Sequence, residues 1–197
     1  EGPMGIGFIS GGSGIVGLND LNKFQVRRLI DSLSSLKALT DILIIDTGAG
    51  VGSNVMDFVV SSPEVLLVST PEPASLTDSY SLIKALYADK RFSRDETNIR
   101  VIANKVMSYD EACAVYEKLS SVVERFLDGS ISYLGMIPLD QSLEKCVRSQ
   151  QVVSIAAPSS KSARAYADIA SGILKRGYEK DSQHGITHFF TSFLKWG

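Results

Sequence analysis

The chain has 197 residues, 44% of them hydrophobic and 21% charged, with a formal net charge of −2. That length supports one domain with its own core, and that balance excludes a disordered or fibrous chain. The near-neutral charge argues against nucleic-acid binding by bulk electrostatics, and no run of about 18 apolar residues offers a membrane span. Cys113 and Cys146 have neither metal-site spacing nor disulfide-framework density, and both are read as reduced thiols. No basic region followed by an apolar one opens the chain, so no signal peptide is read there.

In chain order, the first predicted strand is Ile6–Ile9, inside "GIGFISGGSG" (Gly5–Gly14). These glycines look like a phosphate loop, but a Walker-type loop needs a lysine beside them, and none occurs before Lys23. The dinucleotide fingerprint fails because Gly5 and Gly7 flank or enter the strand, and the G-x-S-x-G elbow is missed by one residue at Ile15. A plain turn is expected. Next, Lys23–Lys37 carries Val26, Leu29, Ile30, Leu33 and Leu36 on one helical stripe. Further strands are predicted at Ile42–Asp46, Val65–Ser69, Arg100–Asn104 and Ile131–Ile137, apolar almost throughout as in parallel sheets covered on both faces. Helices are predicted at Ala74–Tyr87, Asp110–Phe126 and Lys161–Leu174. The alternation implies an α/β fold with a doubly wound, mostly parallel sheet over residues 1–174. A polar linker, Lys175–Gly185, then sets off the last dozen residues.

Three patterns carry chemistry. In "DILIIDTGAGVGSN" (Asp41–Asn54) an apolar strand ends in Asp46 and passes at once into a glycine-rich turn. That is how a P-loop NTPase presents its Walker B carboxylate, although an Asp that merely caps the next helix fits the residues equally well. Asn104 ends its strand in "ANK", where an amide has both donor and acceptor for a purine edge, or serves a turn. In the tail, Ile186, Phe189, Phe190, Phe193 and Leu194 fall on one helical face, with Trp196 suited to a headgroup region. That face suits a lipid surface, or a groove on protein; its single lysine offers little attraction to anionic lipid. His184 and His188 lack a third ligand for a metal, and "DKRFSR" (Asp89–Arg94) reads as a solvated basic loop.

The stretch "DILIIDTGAGVGSNVMDFVVSSPEVLLVSTPEPASLTDSYSLIKAL" resembles the switch II region, following strand and helix of the MinD/ParA ATPases. "GMIPLDQSLEKCVRSQQVV" and "SKSARAYADIASGIL" resemble that family's adenine-side loop and last core helix. DTGAG, and the strand and turn of "GIGFISGGSG", resemble the flagellar-number regulators of the FlhG (YlxH, FleN) type. The resemblance implies an ATPase using ATP and Mg²⁺. Asp46 would be the Mg²⁺-associated carboxylate, acting through a water, and Gly50 the glycine that senses the γ-phosphate. Asn104 would bond the adenine edge, with Pro138 and Asp140 lining the base from the other side.

The family's K-G-G-x-G-K-[ST] loop and switch I aspartates are not found in the chain, which begins on Glu1. The expectation is therefore the C-terminal two-thirds or so of a longer ATPase, inactive by itself. The resemblance further implies an ATP-dependent homodimer in the cytoplasm, binding the inner leaflet of the cytoplasmic membrane through residues 186–197. Implied partners are the flagellar GTPase FlhF and flagellar switch proteins, with no sequence-specific nucleic acid. Two rival readings are a ParA-like DNA-partitioning ATPase and a nucleotide-blind interaction module.

Overall fold

The computed structural model describes residues 2–9 and 40–179. The predicted helix at 23–37, the glycine turn at 10–14 and the tail with Ile186, Phe189, Phe190, Phe193, Leu194 and Trp196 lie outside the described residues. Its elements run α1 (Ser53–Ser61), β1 (Glu64–Ser69), α2 (Pro73–Ala88), β2 (Asn98–Val106), α3 (Tyr109–Leu127), β3 (Ser132–Pro138), α4 (Gln141–Arg148), α5 (Val153–Ala156) and α6 (Lys161–Glu179). The three strands form one sheet in the order β1-β2-β3, and both pairings are parallel. The predicted α/β class with parallel strands is the observed one.

Alternation along the strands sorts side chains onto two faces. Val65 and Leu67 of β1 join Ile99, Val101 and Ala103 of β2 in a core closed by Met56 and Val59 of α1, Ile83 and Leu86 of α2, and Val115 and Leu119 of α3. Full burial of such side chains contributes about 1.5–3 kcal/mol each. On the other face, Ile102 and Ile137 meet Ile169 of α6, with Leu66, Leu134, Leu143 and Ile173 around them. α6 lies close because two glycines admit it. A Cβ at Gly135 would stand 2.9 Å from Ile169 Cγ1, and one at Gly172 would stand 3.1 Å from Leu134 Cδ1. Arg100, buried in mid-strand, points to this same face, where it pairs with Glu64 and donates to the Gly172 carbonyl at 3.2 Å.

Helix ends follow their caps. Ser108 accepts from the Glu111 N–H at 3.2 Å, and Glu111 Oε2 returns a bond from the Met107 N–H at 2.6 Å, a variant of the capping box at the start of α3. Asp128 ends that helix in the left-handed region at φ 48°. Pro73 opens α2 at a position where a missing N–H costs nothing.

Two predicted strands are corrected. Ile6–Ile9 and Ile42–Asp46 belong to no ladder, and Phe8, Ile42 and Ile44 are exposed. A strand is completed by a neighbour's N–H and C=O groups, and among the described residues β1 pairs only with β2, so neither segment has one. α1, α4 and α5 were not foreseen. α6 runs past the predicted end at Leu174 to Glu179, taking in the first part of the stretch read as a linker.

Candidate functional site

Parallel strands bring their carboxyl ends to one side of the sheet, where open α/β proteins bind ligands. Asn104 and Ile137 are direct partners across β2 and β3, and Pro138 pairs with Val106. Two of the predicted base-side residues, Asn104 and Pro138, are thus brought together by register alone. Just beyond Asn104 the ladder is irregular, and Lys105 takes φ 57°. The Asn104 Oδ1 accepts the Lys105 N–H at 2.9 Å, which orients the amide and leaves its NH₂ without a partner among the described residues. Such a group has donors and one remaining lone pair to offer a purine edge. The base half of a nucleotide fits these residues.

Asp140 sits at the corner after β3 as the N-cap of α4. Its Oδ1 accepts the Ser142 N–H at 2.8 Å, while its Oδ2 accepts the Ser162 N–H at 2.9 Å and the Ser162 hydroxyl at 2.8 Å. Those N–H bonds, Ser162's first and Ser142's next, pull its pKa down to about 2. The carboxylate is therefore turned towards two helix starts. Sequence reasoning found Asp140 but missed Ser162, whose only signal is its place at the start of a long amphipathic helix.

The phosphate half is different. Asp46 and Gly50 are exposed, and the stretch holding them lies outside the sheet. Gly50 has φ 105°, a conformation that requires glycine, and nothing lies within 4 Å of where a Cβ at Gly48, Gly50 or Gly52 would stand. Among the described residues no group of three or more His, Cys, Asp or Glu is placed to hold a metal ion. A single exposed carboxylate without convergent donors does not make a Mg²⁺ site. The glycine turn nevertheless leads into α1, whose Met56, Val59 and Val60 are buried in the core.

The basic loop is committed internally. Arg91 binds Asp57 of α1 at 2.6 Å and Asp89 at 2.7 Å. Hydrogen bonding from Arg91 holds the Asp89 carboxyl below its usual range, and the same bond raises the Arg91 guanidinium. Arg94 lies 4.6 Å over the Tyr87 ring and donates to the Asp128 carbonyl at 2.8 Å. A groove of about 550 Å³ lined by Tyr87, Arg94, Asp95 and Asp128 opens beside this loop, at the amino ends of β2 and β3 and opposite the base-side residues. Cys113 and Cys146 are free thiols. Among the described residues no helix is long and apolar enough to cross a membrane.

No protein-family model matches the chain. By sequence it is 38% identical to the antiactivator FleN of Pseudomonas aeruginosa over 172 residues, covering 87% of this chain and 60% of that protein. It is 30% identical to the flagellum site-determining protein YlxH of Helicobacter pylori over 202 residues, covering 98% and 65%. By structure it matches the cell division ATPase MinD of Pyrococcus furiosus at 25% identity and TM-score 0.55, covering 76% of this chain and 58% of that one. It also matches the septum site-determining protein MinD of Pyrococcus horikoshii, solved with Mg-ADP, at 22% identity and TM-score 0.58, covering 77% and 58%. The three parallel strands, their flanking helices and these likenesses define the class of fold, that of the MinD/ParA-type P-loop ATPases. By sequence it is similar to the flagellar regulators FleN and YlxH, of whose length it spans less than two-thirds.

Proposed function

We propose that this sequence is the C-terminal portion of a MinD-like ATPase of the FlhG kind, which regulates flagellar number or placement. The observation that carries the reading is the placing of Asn104, opposite Ile137, and of Pro138, the next residue, at the carboxyl ends of adjacent parallel strands, in a chain 38% identical to FleN. In this reading Asn104 bonds the adenine edge, and Pro138 and the Asp140 corner flank the base. Asp46 would serve the Mg²⁺ that accompanies ATP, through a water, only with further donors from outside the described residues, and Gly50 would offer its N–H to the γ-phosphate. The phosphate-binding loop comes from residues that precede this sequence in the natural protein, and their strand supplies the neighbour that Ile42–Asp46 lacks.

ATP then joins two subunits, and paired tail helices hold the dimer on the inner leaflet of the cytoplasmic membrane. Two weak helices bind together with an avidity neither has alone. The proposed partners are the flagellar GTPase FlhF and switch proteins. The DNA-partitioning alternative is disfavoured by the internal engagement of Arg91 and Arg94, which leaves little of the basic loop for phosphates.

The test is calorimetric titration of ATP into the protein at its natural length, beside its Asn104→Ala variant. Loss of a bond of about 1–1.5 kcal/mol should weaken ATP roughly tenfold while leaving inorganic tripolyphosphate unaffected. A natural-length protein that binds no ATP would overturn the reading in favour of a nucleotide-blind module. For the tail, changing Phe189 and Phe193 to Ser should abolish ATP-dependent co-sedimentation with liposomes and leave the circular dichroism of the body unchanged. Unaltered sedimentation would remove the membrane from the proposal.

A further inference from the structure

We infer that Asp140 is a positioning residue: its carboxylate locks the Pro138–Leu139 corner to the start of α6 and so fixes Pro138 relative to Asn104, on which selection of the base depends. The inference rests on the base-binding reading above and assigns a distinct task within it.

A carboxylate has about four lone-pair positions, and Asp140 uses three of them on Ser142 and Ser162. Oδ2, which takes two bonds, is turned wholly to α6. The far side of this clamp is firm. Ser162 is fully buried, and the helix it begins is held to β3 by the close approach at Gly135 and Gly172 and to β2 by the bond from Arg100. On the near side, a single backbone bond ties the corner to the neighbouring strand, from the Leu139 N–H to the Val106 carbonyl at 2.9 Å. Leu139 itself is exposed and adds little packing. The corner is thus suspended between β2 and α6, with Asp140 as its only side-chain attachment among the bonds described. Hydrogen bonds that select a ligand need their groups held to within about 0.5 Å, which one backbone bond on an exposed turn does not ensure. A negative charge at two helix starts suits this task, since both present unpaired N–H groups and the positive ends of their dipoles.

The first test uses this chain without nucleotide and follows amide hydrogen exchange. Asp140→Asn replaces one acceptor oxygen with an NH₂, so that either the Ser142 or the Ser162 N–H loses its acceptor, and Ser162→Ala removes one bond from a position remote from the base. In Asp140→Asn, the amides of Leu139, Ser142 and Ser162 should exchange about tenfold faster, with those of α2 and α3 unchanged. In Ser162→Ala the same amides should speed up less. Unchanged exchange at Leu139 and Ser142 in both variants overturns the clamp. If Asp140→Asn fails to fold, the milder Ser162→Ala decides.

The second test measures ATP against GTP affinity in the natural-length protein. Both variants should lower the ratio and leave tripolyphosphate binding alone. Loss of selectivity in Asp140→Asn with full selectivity in Ser162→Ala would mean that the carboxylate touches the base itself, which also overturns the inference. A natural-length wild type that binds neither nucleotide sinks the base-binding reading instead, and the exchange result still reports on the clamp.

Discussion

Ile42–Asp46 and Glu64–Ser69 are both short, extended and apolar, yet they end in opposite surroundings. Ile44 is 77% exposed, whereas Leu67 is 6% exposed in the core. Composition does not separate them, for the first stretch is the more hydrophobic of the two. What separates them is a neighbour: β1 has β2 along its whole length, from Glu64 opposite Asn98 to Ser69 opposite Ala103. Burying a strand's backbone without a ladder leaves N–H and C=O groups unpaired, a cost that side-chain burial alone does not offset. A strand is therefore a property of a pair, and the stretch around Asp46 has no such partner in β1.

The sharpest way to break this contrast is to truncate one residue in each region of this chain. Leu67→Ala, on the core face of β1, should cost about 2–5 kcal/mol in urea unfolding. Ile44→Ala should stay within about 0.5 kcal/mol. Equal losses would mean that the front segment is packed in solution and that the contrast is false. A smaller effect is expected where α6 meets the sheet. Gly135→Ala forces Ile169 to shift and should cost about 1–3 kcal/mol, read as a lower midpoint with an unchanged slope.

The smallest effect belongs to the join between α1 and the basic loop. Asp57→Asn breaks a partly exposed ion pair with Arg91 and should cost about 0.2–1 kcal/mol, less at high salt. The sign of its pH dependence follows from Asp89, whose folded pKa lies below its ordinary 3.8. The stabilisation Arg91 gives Asp89 is fully present above that ordinary value and fades as the pH falls through the lowered one. With Asp57 removed, that acid-sensitive part should persist, and its disappearance would show that Arg91 needs both carboxylates.

Much of the body was legible because burial on both faces makes strands read as apolar runs. Val65–Ser69 and Ile131–Ile137 announce themselves in that way. Arg100 is not legible as a buried residue, since the groups that satisfy it, Glu64 and the Gly172 carbonyl, come from β1 and α6 and meet only in the fold. α4 was missed because it turns little more than Leu143 and Cys146 inward and leaves Val147 exposed. Too few apolar positions repeat there to set a period. At the candidate site, Asn104 and Pro138 were visible at strand ends, but the clamp was not, because Asp140 and Ser162 are joined across the start of α6 by tertiary structure. The strands expected at Ile6–Ile9 and Ile42–Asp46 show the converse: their pattern is strand-like, and pattern contains no information about who lies alongside.

The order β1-β2-β3 is also the order in which a ribosome releases these segments. β2 and then β3 each leave the tunnel to find a partner already made, and each crossover helix arrives between the two strands it must cover. Assembly then proceeds by short-range additions, without holding an unpaired strand open while distant sequence is translated.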